Sequence, residues 1–456
     1  MSRRAFLAAT AAAGLTATAA ASRAGEAPFS LADLRGSFNA GETGLIPGAA
    51  DDQSRLLQAA LDRAAAEDRP VFLPPGAYVV ANITLPNRTR LMGVPGATRL
   101  MHAGGGHFLL SENARHLELN GLVLDGANRE VDSYAEAALR ISGAELAVID
   151  NCQVVGSSAK AIHIDRSRGR IERCLVSGAR GDCGIYALEN RGLRIAGNEV
   201  SACSNGGILV HRWQAGEDGT IVTDNRVFNI GAANGGTGPW GNGINVFRAH
   251  AVRIANNHVS DCAFSAIRCN SASNVQIVAN QCLRSGECAV YSEFEFVGAL
   301  IANNLIDGGA RGISVANFMQ GGRMSVCANN IVRNIGRVAP YPDTDHPFGT
   351  GITVEADTTV TGNVIENAER VGLGLGWGPY LRDVVASANV IRGSETGIMV
   401  SVAEGAGSTV ISDNVISGAL RGAIVGYRWH EPATGDLAGG DNEGFDHLTI
   451  TRNSVS

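Results

Sequence analysis

The sequence predicts an all-β fold: a right-handed parallel β-helix, a solenoid closed at its start by a capping α-helix. Three observations predict it. From residue 149 onward one phrase recurs, aliphatic–x–x–Asn–x–aliphatic, as in IAGNEV (195–200), VTDNRV (222–227), IANNHV (254–259), IANNLI (301–306), VTGNVI (360–365) and ISDNVI (411–416). After most of these comes a second phrase, small–aliphatic–any–aliphatic: GILV (207–210), GINV (243–246), GISV (312–315), GITV (351–354) and GIMV (397–400). The composition agrees, since 58 Gly, 18% charged and 5% aromatic residues suit short strands and turns better than helices.

In chain order, SRRAFLAATAAAGLTATAAASRA places Arg3-Arg4 ahead of an Ala-rich stretch ending in small residues. It resembles a twin-arginine signal, with cleavage after about Ala21 or Ala24, so residues 1–24 are set apart from the fold. The expected location is the periplasm or the exterior, reached by the twin-arginine machinery. Residues 25–110 form an N-terminal cap region with the first coils. Its helix, about 51–68, is capped by Asp51 or Asp52 and carries an apolar stripe of Leu56, Leu57, Ala60, Leu61 and Ala64. Residues 111–456 hold the repeats. The Asn frame positions, mostly 22 to 27 residues apart, predict one coil per repeat, with the Asn side chains as an inward corner ladder. Cys152 and Cys174 take the Asn position in IDNCQV and IERCLV. The nine cysteines are odd in number and lack a CxxC pair, so they read as small buried thiols and not as a disulfide framework. A net charge of -7 without a basic run argues against nucleic acid, and no apolar stretch of 18 residues predicts a transmembrane segment.

The stretch ADDQSRLLQAALDRA…VFLPPGAYVV resembles the N-terminal region of β-helix proteins of the pectate-lyase superfamily. Signal and repeats together resemble the family of twin-arginine-translocated β-helix repeat proteins over nearly the whole chain. The resemblance implies the fold and export. Similar repeats occur in alginate epimerases and other polysaccharide-modifying enzymes, but the fragments IHIDRS (162–167) and DTDHP (343–347) do not reproduce the epimerase Asp-Pro-His-Asp run, so no epimerase residue is carried over.

In the second phrase the aliphatics point inward, so alternation turns the residues between and after them outward. The outward pairs are His163/Asp165, Tyr186/Leu188, Leu209/His211, Asn245/Phe247, Arg268/Asn270, Tyr291/Glu293, Ser314/Ala316 and Thr353/Glu355, then blander coils at Gly374, Met399 and Ile424. Rings mixed with fixed donors and acceptors suit a sugar surface. Two long loops, 232–242 and 336–350, precede strands four coils apart and are expected to wall a groove around Arg268, Tyr291, Glu293 and Ser314. Arg268 is the neutraliser of a uronate, Tyr291 or His211 the base or acid, and Glu293 an orienting group or acid. Trp213, Trp240, Asn245, Phe247, Asn270 and His346 are substrate contacts. His163 and Asp165 form a secondary site about four coils, or ~19 Å, from Arg268, and the lone Lys160 reads as structural. The acidic pairs in EFE (293–295) and EAD (355–357) are expected on a solvated face, and no metal-ligand cluster stands out; a cofactor is unspecified. The predicted activity is lyase- or epimerase-like on an acidic polysaccharide or oligosaccharide. The alternative is a non-catalytic solenoid that binds glycan or envelope components.

Overall fold

The computed structural model describes residues 36–236, 238–319, 321–342, 348–439 and 444–456; the expected signal, residues 1–24, lies outside them. The chain winds into a parallel β-helix. One ladder of 16 strands runs from Phe38–Asn39 to Leu448–Thr451. The other 28 strands, apart from Glu431–Asp436, form two further ladders, which merge where Val390–Ser401 and Val415–Arg428 pass unbroken from one to the other. No helix is long and apolar enough to cross a membrane.

The recurring Asn holds the corner between the first ladder and the second. Asn280 shows the pattern: its N–H and Nδ2–H donate to Asn304 Oδ1 of the next coil at 2.9 and 3.1 Å, and Nδ2–H also donates back to Ile254 O at 3.0 Å. The same exchange runs from Asn198 to Asn453. A chain that turns a sharp corner inside a dry core leaves backbone groups without partners, and a short side chain with both donor and acceptor satisfies them. The residue before each Asn is left-handed, as at Asp224 (φ 57), Asn256 (φ 57), Asn303 (φ 58) and Gly362 (φ 66), which explains why Asn, Asp and Gly recur there. Asn304→Ala would strand Asn280 N–H and Ile277 O, both buried. The expected cost is about 1–3 kcal/mol for each group left unpaired, read as a lower urea midpoint with unchanged slope.

The small residue of the second phrase is a packing requirement. A Cβ on Gly312 would lie 2.2 Å from Gly351 O of the next coil and 2.5 Å from Val332 Cγ1. Behind these glycines the inward aliphatics stack in register, from Leu139 and Ile162 through Ile208 and Ile244 to Ile398 and Ile424. Ile424 is therefore a core residue. The expected outward position belongs to Val425, which pairs with Met399.

At the N-terminal end the helix Ser54–Ala66 buries Leu57, Ala60, Leu61 and Ala64 against the first coil. Leu56 is 37% exposed and leaves the expected stripe. Asp52 accepts the Ser54 N–H at 2.8 Å, so the carboxylate stands one residue outside the Gln53 cap position. At the other end the segment after Tyr427 folds back: Glu431–Asp436 pairs antiparallel with Val415–Arg428, Asp436 accepts the Ala423 and Ile424 N–H groups, and Leu437 is buried. This hairpin covers an edge that would otherwise pair with another chain. All nine cysteines are free and buried, and burial pushes their thiols up, as expected for small core residues.

Candidate functional site

Strand register on the third ladder places the outward residues in two rows. Arg140, His163, Tyr186, Leu209, Asn245, Arg268, Tyr291, Ser314 and Thr353 form one. Ser142, Asp165, Leu188, His211, Phe247, Asn270, Glu293 and Ala316 form the other. Both follow from period-two alternation, so the face was readable from sequence. Its division was not. The face carries two hollows, and the residues expected in one groove are divided between them, apart from Arg268, which lines neither.

The N-terminal hollow, about 570 Å³, is lined by Lys160, His163, Asp165, Tyr186, His211, Trp213, Trp240, Asn245, Phe247 and Asn270, with Glu136 and Arg140 from the coil before. Its floor is a run of rings: His163 to Tyr186 at 4.9 Å, Tyr186 to His211 at 5.3 Å and His211 to Phe247 at 5.8 Å between centroids. Trp213 and Trp240 are 58% and 37% exposed on its rim. Burial first, and then the charges of Arg140, Lys160 and Arg166, hold the His163 imidazole neutral with its pKa pushed down to about 2. Glu136 Oε2 lies 2.9 Å from His163 Nδ1 but out of line for a hydrogen bond, so both ring nitrogens lack a partner among the described residues. Burial also lowers His211 to about 4, although its contact with Asn245 opposes this. His211 Nε2 lies 2.6 Å from Asn245 Oδ1, which assigns the proton to Nε2 and leaves Nδ1 with its lone pair. Burial pushes the Tyr186 phenol up, so it stays protonated at neutral pH.

Four side chains at this hollow differ from the expected outward set or add to it. Lys160 begins the strand Lys160–Asp165 at the coil corner, and its ammonium lines the hollow, 3.5 Å from Asp182 Oδ2 and 5.3 Å from the centre of the Tyr186 ring. Asp165 is fully buried and accepts hydrogen bonds from Arg140 and Ser142, which makes it the anchor of Arg140. Glu136 and Arg140 lie one coil before the first expected outward pair, His163/Asp165. The alternation of Leu139 and Ile141 already marks Arg140 as outward.

Both low imidazoles link stability to pH. The unfolded chain takes up protons near the ordinary histidine value of 6.5, whereas folded His211 refuses them until about 4. Their contribution is thus complete above about 6.5 and is lost as pH falls through that window. Thermal melts are expected to drop between these values, and His211→Gln is expected to flatten that drop.

The C-terminal hollow, about 310 Å³, is lined by Tyr291, Glu293, Ser314, Tyr341, Glu355 and Trp377 among others. Arg268 lines neither hollow. Its Nε–H donates to Glu293 Oε1 at 2.7 Å, Asn270 Nδ2–H reaches the same oxygen at 2.8 Å, and the guanidinium lies 5.0 Å from the Tyr291 ring centre. Arg268 is 8% and Glu293 2% exposed, so the acidic pair of EFE is not on a solvated face at Glu293. Glu355 is likewise turned in, its Oε2 accepting the Asn317 and Phe318 N–H groups. Burial pushes the Tyr291 phenol up, so it is a poor base in the free protein.

The two long loops do not stand apart as walls. Gly236 and Gly241 of the first close over the Phe264 ring, where an added Cβ would lie 1.9 and 2.5 Å from ring atoms, and Tyr341 of the second stacks on the same ring at 6.2 Å. The first loop then turns Trp240 toward the N-terminal hollow, while Tyr341 and Phe348 serve the other. Asp343, Asp345 and His346 lie outside the described residues. Among the described residues no group of three or more His, Cys, Asp or Glu side chains could hold a metal ion.

Parallel coils stacked on an Asn ladder, with a mixed polar and aromatic row along one outward face, define a β-helix with a surface groove. The family model for the right-handed β-helix region matches residues 120–281, 182–331 and 215–380, more than half of the chain, and the chain belongs to that family. No curated protein matches it. Among solved structures it is similar to an alginate lyase complexed with a trisaccharide, at 13% identity and a TM-score of 0.52, covering 92% of this chain and 96% of that one. It is similar to the A-module of a mannuronan C-5 epimerase from Azotobacter vinelandii, at 16% identity and a TM-score of 0.46, covering 92% and 99%. A third likeness, to the N-terminal fragment of gene product 12 of bacteriophage Phi29, has 15% identity and a TM-score of 0.46. It covers 91% of this chain, which spans 66% of that fragment. These are likenesses of fold.

Proposed function

We propose that the protein acts outside the cytoplasm on an acidic polysaccharide, removing the C5 proton of a uronate residue held in the N-terminal hollow. One observation carries this reading: a protonated phenol, Tyr186, lies between two neutral imidazoles, His163 and His211, on a floor rimmed by exposed tryptophans and cations. C5 deprotonation needs a charge to neutralise the carboxylate, a base in its neutral form and a second group to transfer a proton. Lys160 and Arg166 supply the charge. His163 is the base, with Glu136 beside Nδ1 to stabilise the imidazolium, and the bound carboxylate raises the basicity that burial suppresses. In β-elimination His163 takes the C5 proton, the electron pair forms the C4=C5 double bond, the C4–O bond breaks, and Tyr186 protonates the departing oxygen. Epimerisation shares the first step and returns a proton to the opposite face of C5.

A panel of polyuronates tests this by unsaturated-uronate absorbance and by C5 proton exchange in deuterium oxide. Turnover on one of them is the expected result. Absence of both signals on every polymer refutes the catalytic reading. The non-catalytic binding solenoid is favoured by one observation of its own, the exposure of the Trp213 ring. It requires polymer retention that Trp213→Ala weakens, without product.

A further inference from the structure

Beside the N-terminal hollow, at the turn where strands leave the third ladder, lies a shallow depression lined by Arg166, Arg168, Arg191 and Arg212 against Glu145 and Glu189. Arg166 lines both hollows, so the two surfaces are continuous. The coil geometry sets the spacing of these cations. Arg168 N–H donates to Ala144 O and Arg191 N–H to Ser167 O, which puts Arg168 and Arg191 at the same corner position on neighbouring coils, ~4.8 Å apart along the axis.

The other charges do not neutralise them. Arg166 pairs with Asp165 at 2.6 Å, and Arg212 lies 3.7 Å from buried Asp218 and 3.9 Å from Glu189. Glu189 Oε1 is occupied by the Trp213 N–H at 3.0 Å. Arg168 and Arg191 are exposed, and among the described residues neither guanidinium has a carboxylate partner. Two exposed guanidinium groups without an ion-pair partner among the described residues form a surface that gathers anions.

Resting on the reading of the hollow as a glycan site, we propose that this arginine shelf binds the continuation of the same polymer, and that the ligand is a polyanion carrying an acidic group on successive residues. Exposed cations one coil apart gain most from a ligand whose charges repeat along its length, because each contact releases counterions from the polymer. A neutral glycan gains nothing there.

Affinity electrophoresis of the full chain tests the proposal, using gels of polygalacturonate, dextran sulfate or uncharged dextran at stepped salt. The variants are Arg168→Glu/Arg191→Glu and, as a charge-matched control on the second ladder, across the coil from the shelf, Arg226→Glu/Arg392→Glu. Wild type is expected to be retarded by a polyanion and not by dextran. The shelf variant is expected to bind about tenfold more weakly with a flatter salt dependence, and the control to match wild type. Preference for polygalacturonate over dextran sulfate assigns the acidic group as carboxylate, and the reverse as sulfate. Equal behaviour of shelf and control variants overturns the shelf while leaving the hollow's reading intact. No retardation of wild type by either polyanion overturns both.

Discussion

Tyr186→Phe is expected to lower kcat on the productive polyuronate by about 10²–10⁴-fold, the usual contribution of a positioned proton donor, with KM nearly unchanged. The structure explains why this variant isolates chemistry. Tyr186 is 8% exposed, with its ring packed between His163 and His211, and its hydroxyl has no hydrogen-bond partner among the described residues. Phenylalanine keeps the packing and removes only the acid. The melting temperature should stay within the range of a neutral surface substitution, about ±0.5 kcal/mol in stability. His163→Gln should produce a comparable loss in kcat. Glu136→Gln should lose less and shift the acid limb of the pH–rate profile downward, because a carboxylate beside Nδ1 favours the protonated ring. If Tyr186→Phe turns over at the wild-type rate, the phenol is not the acid. If both it and His163→Gln are unaffected, the hollow is not the catalytic centre.

How much of this was legible depends on which contacts a repeat determines. Coil stacking and the outward rows follow from two periods, about 24 residues between coils and two within a strand, and both can be counted along the chain. His163, His211, Asn245 and Glu293 accordingly fall where alternation puts them. The turns were less readable. Lys160 starts a strand, and alternation there gives only an inward direction or a corner. The partner that draws its ammonium outward, Asp182, comes from the corner of the next coil. Nor does any sequence period connect Gly236, Phe264 and Tyr341, whose packing divides one expected groove into two. Loop anchorage of that kind depends on side-chain contact across dozens of residues and leaves no local signal beyond a pair of glycines and an aromatic.

Arg268→Ala is expected to destabilise the fold by about 3–5 kcal/mol, a large share of the 5–15 kcal/mol typical of a folded domain. The sequence allowed a surface ion pair, which would contribute about 0–1 kcal/mol. Burial raises the cost of losing one partner of the pair. With Glu293 2% exposed, removing the guanidinium leaves a carboxylate in the protein interior with Asn270 as its remaining side-chain donor. The loss should therefore appear in the denaturant midpoint before any assay of activity is informative. Two further variants separate structure from chemistry. Arg268→Met combined with Glu293→Leu removes both charges and fills similar volume, so stability should return to near wild type or above it. If that double variant folds and still turns over polyuronate, the pair is a strut between the two hollows. Loss of turnover from a protein of wild-type stability would instead place Arg268 in the reaction. Its Nη1 would then be the relevant atom, since it is buried and has no partner among the described residues.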